Sequence, residues 1–294
     1  MSSSARIGGK DLLTALLPTL FVVLWSTGFI GMKLGVSGAG TMTFLALRFA
    51  ISVTVLYTAC VLMRVRWRVT PAAVGHAMVV GALLHGVYIG SVGEALAHGV
   101  SAGAVALVAG LQPLVTAAFV GRLLGEAVSP LQWLGLALGF AGVGLVVFAK
   151  LAVGEATLAG FGFTALCLAG ITAGTLYQKK FCTDHDMMTS MTIQFATAAA
   201  LTFAGALLFE DFSIVWSGAF VAALLWLAIV TSIGAFALLF VLLRRGRAAR
   251  VTSLFYLTPP TTAVMAYALF GETLGCLAIA GMAVAAAGVA LANR

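Results

Sequence analysis

A helix needs about 20 apolar residues to cross a hydrocarbon core about 30 Å thick. This chain has ten such runs, at roughly 12–34, 41–63, 72–93, 100–121, 129–150, 157–178, 189–209, 218–243, 249–270 and 273–292. A closed barrel is the other structure that can span lipid, and it is built from alternating segments of about ten residues. Nothing in this chain alternates, so the expected fold class is an all-α membrane protein of ten transmembrane helices. Composition agrees: at 62% hydrophobic and 9% charged residues, the chain is short of the polar surface a soluble domain needs, and the lipid bilayer is its first partner. The connections are short, about three residues between the last two runs, which leaves no room for a soluble domain or a nucleotide-binding cassette.

The chain is also two copies of one unit. Val105–Glu126 reads VALVAGLQPLVTAAFVGRLLGE and Val251–Glu272 reads VTSLFYLTPPTTAVMAYALFGE. Each is an apolar run interrupted by a proline, and each closes on Gly-Glu at the same distance. The offset is 259 − 113 = 146 between the prolines and 272 − 126 = 146 between the glutamates. Carried outward, it pairs Gly28 with Gly174, Lys33 with Lys179, Phe49 with Phe195, and Gly135 with Gly281. The expected units are 1–150 and 151–294, with five helices each. Because five is odd, the second copy enters the membrane from the opposite side, and the repeat is inverted.

Charge agrees with this topology. With the N-terminus inside, thirteen basic residues fall on the cytoplasmic side, among them Arg64, Arg66, Arg122, Lys179 and Lys180, whereas Lys33 and Lys150 alone fall opposite. The positive-inside rule then places both termini in the cytoplasm. The same distribution accounts for the net charge of +7 without a nucleic-acid partner. Arg6 and Lys10 before the first run resemble a signal peptide, but the run is too long, and its repeat mate near 157–178 is internal. Four scattered cysteines, Cys60, Cys167, Cys182 and Cys276, lack the grouping of a disulfide framework or zinc site and read as free thiols.

Inverted repeats are the build of many secondary transporters, whose substrate sites lie near mid-membrane beside Gly/Pro-interrupted helices. Pro113 and Pro259 mark such interruptions, as gating or kink positions, with the repeat mates Gln112 and Thr258 just before them and Tyr256 nearby. A packing kink without a ligand is the alternative. His85 falls near the middle of the third span, with Tyr88 one turn on. The imidazole can bond a substrate, shuttle a proton or bond a neighbouring carbonyl. Its mate is Thr231, beside Ser232. Trp25 lies mid-span, either lining a cavity or packed between helices. Arg48, within the second span, suits a carboxylate-bearing substrate, or else ties carbonyls together or snorkels outward. Its mate is Gln194. Glu126 and Glu272 follow glycines where a helix begins, and are expected to be held by its exposed amides. The glycines of spans five and ten, including Gly135, Gly139, Gly142, Gly144, Gly281 and Gly288, allow close backbone approach, either within the molecule or in a homo-oligomer.

No aspartate or glutamate falls at mid-span, so no buried-carboxylate ion motor is visible. There is no phosphate-binding loop, zinc-protease motif or nucleophile elbow. An enzyme, a metal site and a cofactor are not expected.

The five-plus-five pattern, the proline followed thirteen residues later by Gly-Glu in each half, Leu24-Trp25-Ser26-Thr27 and Arg48-Phe49-Ala50 together resemble the drug/metabolite transporter superfamily. More narrowly they resemble its ten-helix EamA-type exporters, and within these the YddG-type amino-acid exporters of bacterial inner membranes. The resemblance implies a basket of helices 1, 3, 4, 6, 8 and 9 around a central cavity, with 2, 5, 7 and 10 outside. It would place Trp25, His85, Tyr88, Gln112, Tyr177, Thr231, Tyr256 and Thr258 on cavity-forming helices and leave Arg48 off them. The function expected is export of amino acids or similar small metabolites across a bacterial inner membrane by alternating access, either uncoupled or proton-linked. Export of lipophilic or cationic drugs is the alternative. A phosphorylated-metabolite or nucleotide-sugar exchanger ranks below both, because phosphate substrates want two or more basic groups in the cavity.

Overall fold

The computed structural model describes residues 9–67, 69–116, 129–152, 156–182, 186–235, 238, 255–273 and 275–292; side chains are described from Leu17 onward, except at 150–152, 256, 289 and 292. Arg122, Gly125, Glu126 and the basic run at 244–250 lie outside the described residues.

Helices fill the expected positions: α1 (Gly9–Val36), α2 (Thr41–Leu62), α3 (Pro71–Ala97), α4 (Ala102–Thr116), α5 (Pro130–Ala152), α6 (Leu158–Phe181), α7 (Met187–Phe209), α8 (Gly218–Ala235), α9 (Thr258–Phe270) and α10 (Cys276–Ala292). Within the described residues, seven are long and apolar enough to cross a membrane, and those of α4, α9 and α10 are shorter. Several begin where a side chain caps the exposed amides. Thr70 accepts from Ala73 N, Thr157 from Gly160 N, Asp186 from Thr189 N and Ser217 from Phe220 N, each such cap contributing about 0.5–2 kcal/mol. The outward faces are apolar. Leu134 and Phe148 on α5, and Phe203 and Leu208 on α7, are all more than half exposed, a surface suited to lipid rather than water.

Loop contacts show the inversion directly. Val215 N, between α7 and α8, donates to Gly38 O between α1 and α2 at 2.8 Å. Glu210, at the end of α7, accepts from Met42 N and Thr43 N at the start of α2, both at 2.8 Å. Thr157 N, before α6, donates to His98 O after α3, and Lys33 at the end of α1 pairs with Glu272 after α9. On the opposite face, His76 near the start of α3 bonds the Tyr177 hydroxyl near the end of α6 at 2.9 Å. The first loop of one unit thus shares a face with the second loop of the other, which only an inverted repeat permits.

Partners exchange across the same two-fold relation. α5 packs on α10, α2 on α7 and α4 on α9, while α1 lies on α8 as α6 lies on α3. Phe49 and its mate Phe195 stack at 5.8 Å and 28°. A Cβ on Gly142 would meet Gly281 O at 2.4 Å, and one on Gly288 would meet Gly135 O at 2.6 Å. Adding 146 to one number and subtracting it from the other turns the first contact into the second. The glycine stripe is therefore an internal seam, with the exception of Gly144, which faces outward with nothing within 4 Å.

One expectation needs correction, that for Glu272, whereas Pro113 and Pro259 do lie at interruptions of their helices. The regular helix of α4 stops at Ala109 and resumes at 112, and α9 starts at Thr258 with proline in its first turn, after a 3-10 turn at Phe255–Leu257. Proline has no N–H to donate, so the first helical turn is where it fits, and each proline opens a helical segment. Glu272 lies four residues short of α10 and is held by Lys33 across the two units, with no helix-start amide donating to it among the described residues.

Candidate functional site

α3 and α8 each change hydrogen-bonding pattern midway. The wider π form runs over Gly81–Ile89 in α3 and Trp226–Ala235 in α8. At the repeat offset the first maps onto 227–235, since 81 + 146 = 227 and 89 + 146 = 235. π segments this long are rare and concentrate at functional sites, because the wider turn re-aims side chains and loosens the backbone ladder.

A cavity opens beside them, with about 440 Å³ of unfilled space counted to its open mouth. α1 contributes Trp25, Gly28, Phe29 and Met32; α2 contributes Arg48; α3 contributes Tyr88, Ile89 and Val92; α8 contributes Thr231. Trp25 is held edge-on by Phe255 at 5.1 Å and against Phe21 at 5.4 Å, so it forms a fixed wall. Gly28 keeps that wall open: a Cβ there would meet only the Thr231 methyl, at 3.5 Å.

Arg48 is 4% exposed. Its Nε and Nη2 both donate to Ser232 Oγ, at 3.3 and 3.1 Å, and its guanidinium carbon lies 5.5 Å from the Phe49 ring centre. Ser52, one turn on, ties α2 to the π segment by donating to Ala228 O at 2.9 Å. Thr231 Oγ1 is buried without a hydrogen-bond partner among the described residues. The cavity is therefore lined by apolar and aromatic side chains, one buried cation, and the hydroxyl-bearing residues Tyr88 and Thr231, of which Thr231 turns its methyl toward Gly28.

Of the residues singled out from the sequence, Trp25, Tyr88, Thr231 and Arg48 come together here. The basket implied by resemblance left α2 outside; Arg48 reaches in because α2 packs on the π segment of α8. His85 lies behind the cavity wall, 4.3 Å from the Phe195 ring and 5.9 Å from Phe49, with the Gln194 side chain beside it. Gln112 is half-buried and donates to Thr116 Oγ1 on its own helix. Tyr177 is spent on His76 near one face. Thr258 is buried on α9, where its carbonyl accepts from Ser26 Oγ at 3.4 Å. The Tyr256 side chain lies outside the described residues. Phe29, Met32, Ile89 and Val92, together with Ser232 as the partner of Arg48, went unmarked by sequence reasoning. The apolar four carry no signal in a chain this hydrophobic. No group of three or more metal-ligating side chains occurs among the described residues.

Comparison with known proteins agrees with this architecture. A model of the EamA-like transporter family matches residues 12–148 and again 160–294. The chain is 26% identical over 254 residues to the "Uncharacterized inner membrane transporter YedA" of Escherichia coli strain K12, covering 86% of this chain and 81% of that one. It is 25% identical over 193 residues to the "Uncharacterized transporter YvbV" of Bacillus subtilis strain 168, covering 65% of this chain and 63% of the relative's length. A solved structure titled "Crystal structure of protein" superposes with a TM-score of 0.66 at 22% identity, over 94% of this chain and 95% of its own, a likeness of fold alone.

Proposed function

Because this chain belongs to the EamA-like transporter family, we propose that it is a secondary exporter of amino acids or similar small metabolites, working by alternating access of its two inverted units. The observation that carries this reading is the cavity seated where α1 and α2 meet the paired π segments of α3 and α8. Inverted halves can exchange conformations and so expose such a site to each side in turn. Local loosening at two matched places gives the halves somewhere to flex. The amino-acid reading rests on the resemblance to YddG-type exporters and on a wall that offers aromatic faces, hydroxyls and a cation. We place the protein in a bacterial inner membrane with both termini cytoplasmic, from its basic loops. The apolar wall also supports a second reading, export of lipophilic drugs.

The test is flux in proteoliposomes. A panel of amino acids and lipophilic cations is measured with and without a pH gradient, for the native chain and for Gly28→Leu. The first side-chain carbon at position 28 meets only an ordinary contact, so the remainder of the leucine fills the cavity while the helices stay in place. Saturable flux of amino acids without ATP, lost in Gly28→Leu, is the expected result. Flux that survives filling of the cavity removes the cavity from the pathway. Movement of cations alone selects the second reading.

A further inference from the structure

Arg48 is a cation in the hydrocarbon interior with no anion beside it among the described residues. Among the described residues its polar partner is one neutral hydroxyl, Ser232 Oγ, which takes two of its five N–H groups. The described carboxylates are engaged elsewhere. Glu94 faces His98, Asp186 caps α7, Glu210 caps α2, Asp211 accepts from Ser213, and Glu272 pairs with Lys33. Buried charges are normally paired, and intramembrane ones mark substrate or ion paths. Thr231, next in the chain to the serine that positions the guanidinium, lines the same cavity, and its hydroxyl is buried with no partner among the described residues.

Resting on the transporter reading above, we propose that this cavity takes amphipathic carboxylates: Arg48 seats the carboxylate group, Thr231 supplies an adjacent hydroxyl, and Trp25, Phe29 and Met32 take the apolar body. A planar guanidinium presents paired N–H groups that match a carboxylate, and the bound anion supplies the missing counter-charge. An organic cation in the same place would meet Arg48 with its own charge and find no described carboxylate to offset it. Discrimination therefore falls on the acid group rather than on the amine.

The experiment measures inhibition of L-leucine counterflow in proteoliposomes by three relatives of leucine. Isocaproate lacks the amine, leucinamide lacks the acid charge, and isopentylamine lacks the acid altogether. Inhibition by isocaproate, with leucinamide and isopentylamine weaker by about tenfold or more, is expected for the loss of hydrogen bonds to a charged group. Arg48→Gln is expected to remove that difference, and Arg48→Lys to restore part of it; a monodisperse elution profile checks that each variant folds. Equal inhibition by acid, amide and amine in the native protein overturns the carboxylate seat while leaving transport standing. Absence of flux for every solute overturns the transporter reading and this one with it. Equal inhibition joined to a requirement for chloride, lost in Arg48→Gln, also overturns the proposal, because Arg48 then holds an inorganic anion.

Discussion

The seam between α5 and α10 makes a quantitative prediction that no surface substitution can mimic. A methyl at position 142 would lie 2.4 Å from Gly281 O, 2.5 Å from Ala285 N and 2.8 Å from the Ala285 methyl. Two of those atoms are backbone, so no rotamer change relieves the contact and the helices must separate. A gap of 0.5–1 Å already forfeits about a quarter to a half of each dispersion contact along the line. Overpacking of this kind typically costs about 1–3 kcal/mol. Gly288→Ala meets the mate of that contact, Gly135 O at 2.6 Å and Gly139 N at 2.7 Å, and should cost a similar amount. Because one separation accommodates both methyls, the double variant should lose clearly less than the sum of the singles. Gly144→Ala, on the open face of the same helix, should instead be neutral or stabilising by about 0.5–1 kcal/mol, since alanine restricts the unfolded backbone. Thermal unfolding in detergent, followed by tryptophan fluorescence, ranks the four proteins. Equal midpoints for Gly142→Ala and Gly144→Ala, or strict additivity in the double variant, would refute the close seam.

Glu210→Ala should lower the unfolding midpoint by the equivalent of about 1–3 kcal/mol, because it leaves the amides of Met42 and Thr43 and the Thr43 hydroxyl without their carboxylate. Glu210→Gln should recover part of that loss, and a midpoint unchanged by Glu210→Ala contradicts the capping role. Thiol labelling reads the inversion. Cys276 is exposed beside the α9–α10 turn and Cys182 half-buried at the end of α6, on opposite faces, so an impermeant maleimide should reach them from different sides. Burial pushes the Cys182 thiol up, leaving less reactive thiolate at a given pH, so its reaction should also be the slower and should gain more from alkaline pH. The buried Cys60 and Cys167 should react only after unfolding. Reaction of Cys182 and Cys276 from one face would contradict the inverted arrangement.

The helices and their inversion were legible because the bilayer dictates them: span length follows from its thickness, and inversion follows from an odd number of spans per copy. Trp25, Tyr88 and Thr231 were legible for a related reason, since aromatic and polar side chains at mid-span are drawn inward. Polarity alone does not say which interior space they enter. His85 is interior, yet it packs on Phe195 rather than in the cavity. The direction of Arg48 was hidden because Thr41–Leu62 is apolar on nearly every face, so helical spacing cannot orient it. The π segments were hidden as well: Gly81–Ile89 and 227–235 match in position but not in sequence, and their geometry arises from packing. Break and kink were equally indistinguishable at Pro113 and Pro259, since both place proline inside an apolar run.

The two-fold relation is kept in the frame and abandoned around the cavity, and that division follows from what each must do. Mates meet mates at Phe49 and Phe195, and along the glycine seam. Around the cavity, the mate of Arg48 is Gln194 and the mate of Thr231 is His85, and neither mate lines the space that Arg48 and Thr231 share. Ser26 donates to the Thr258 carbonyl, whereas its mate Thr172 has a buried hydroxyl with no partner among the described residues; the equivalent acceptor would be the carbonyl of Gln112. Rocking of two units needs matched frames, since each must be able to adopt the other's shape. A ligand with an acid at one end and an apolar body at the other has no two-fold axis, and a symmetric lining would hold it less well than an asymmetric one. Restoring the symmetry chemically, with Arg48→Gln to match Gln194, therefore removes recognition while leaving the frame intact, so an Arg48→Gln variant that unfolds instead would place Arg48 in the frame and not in the site.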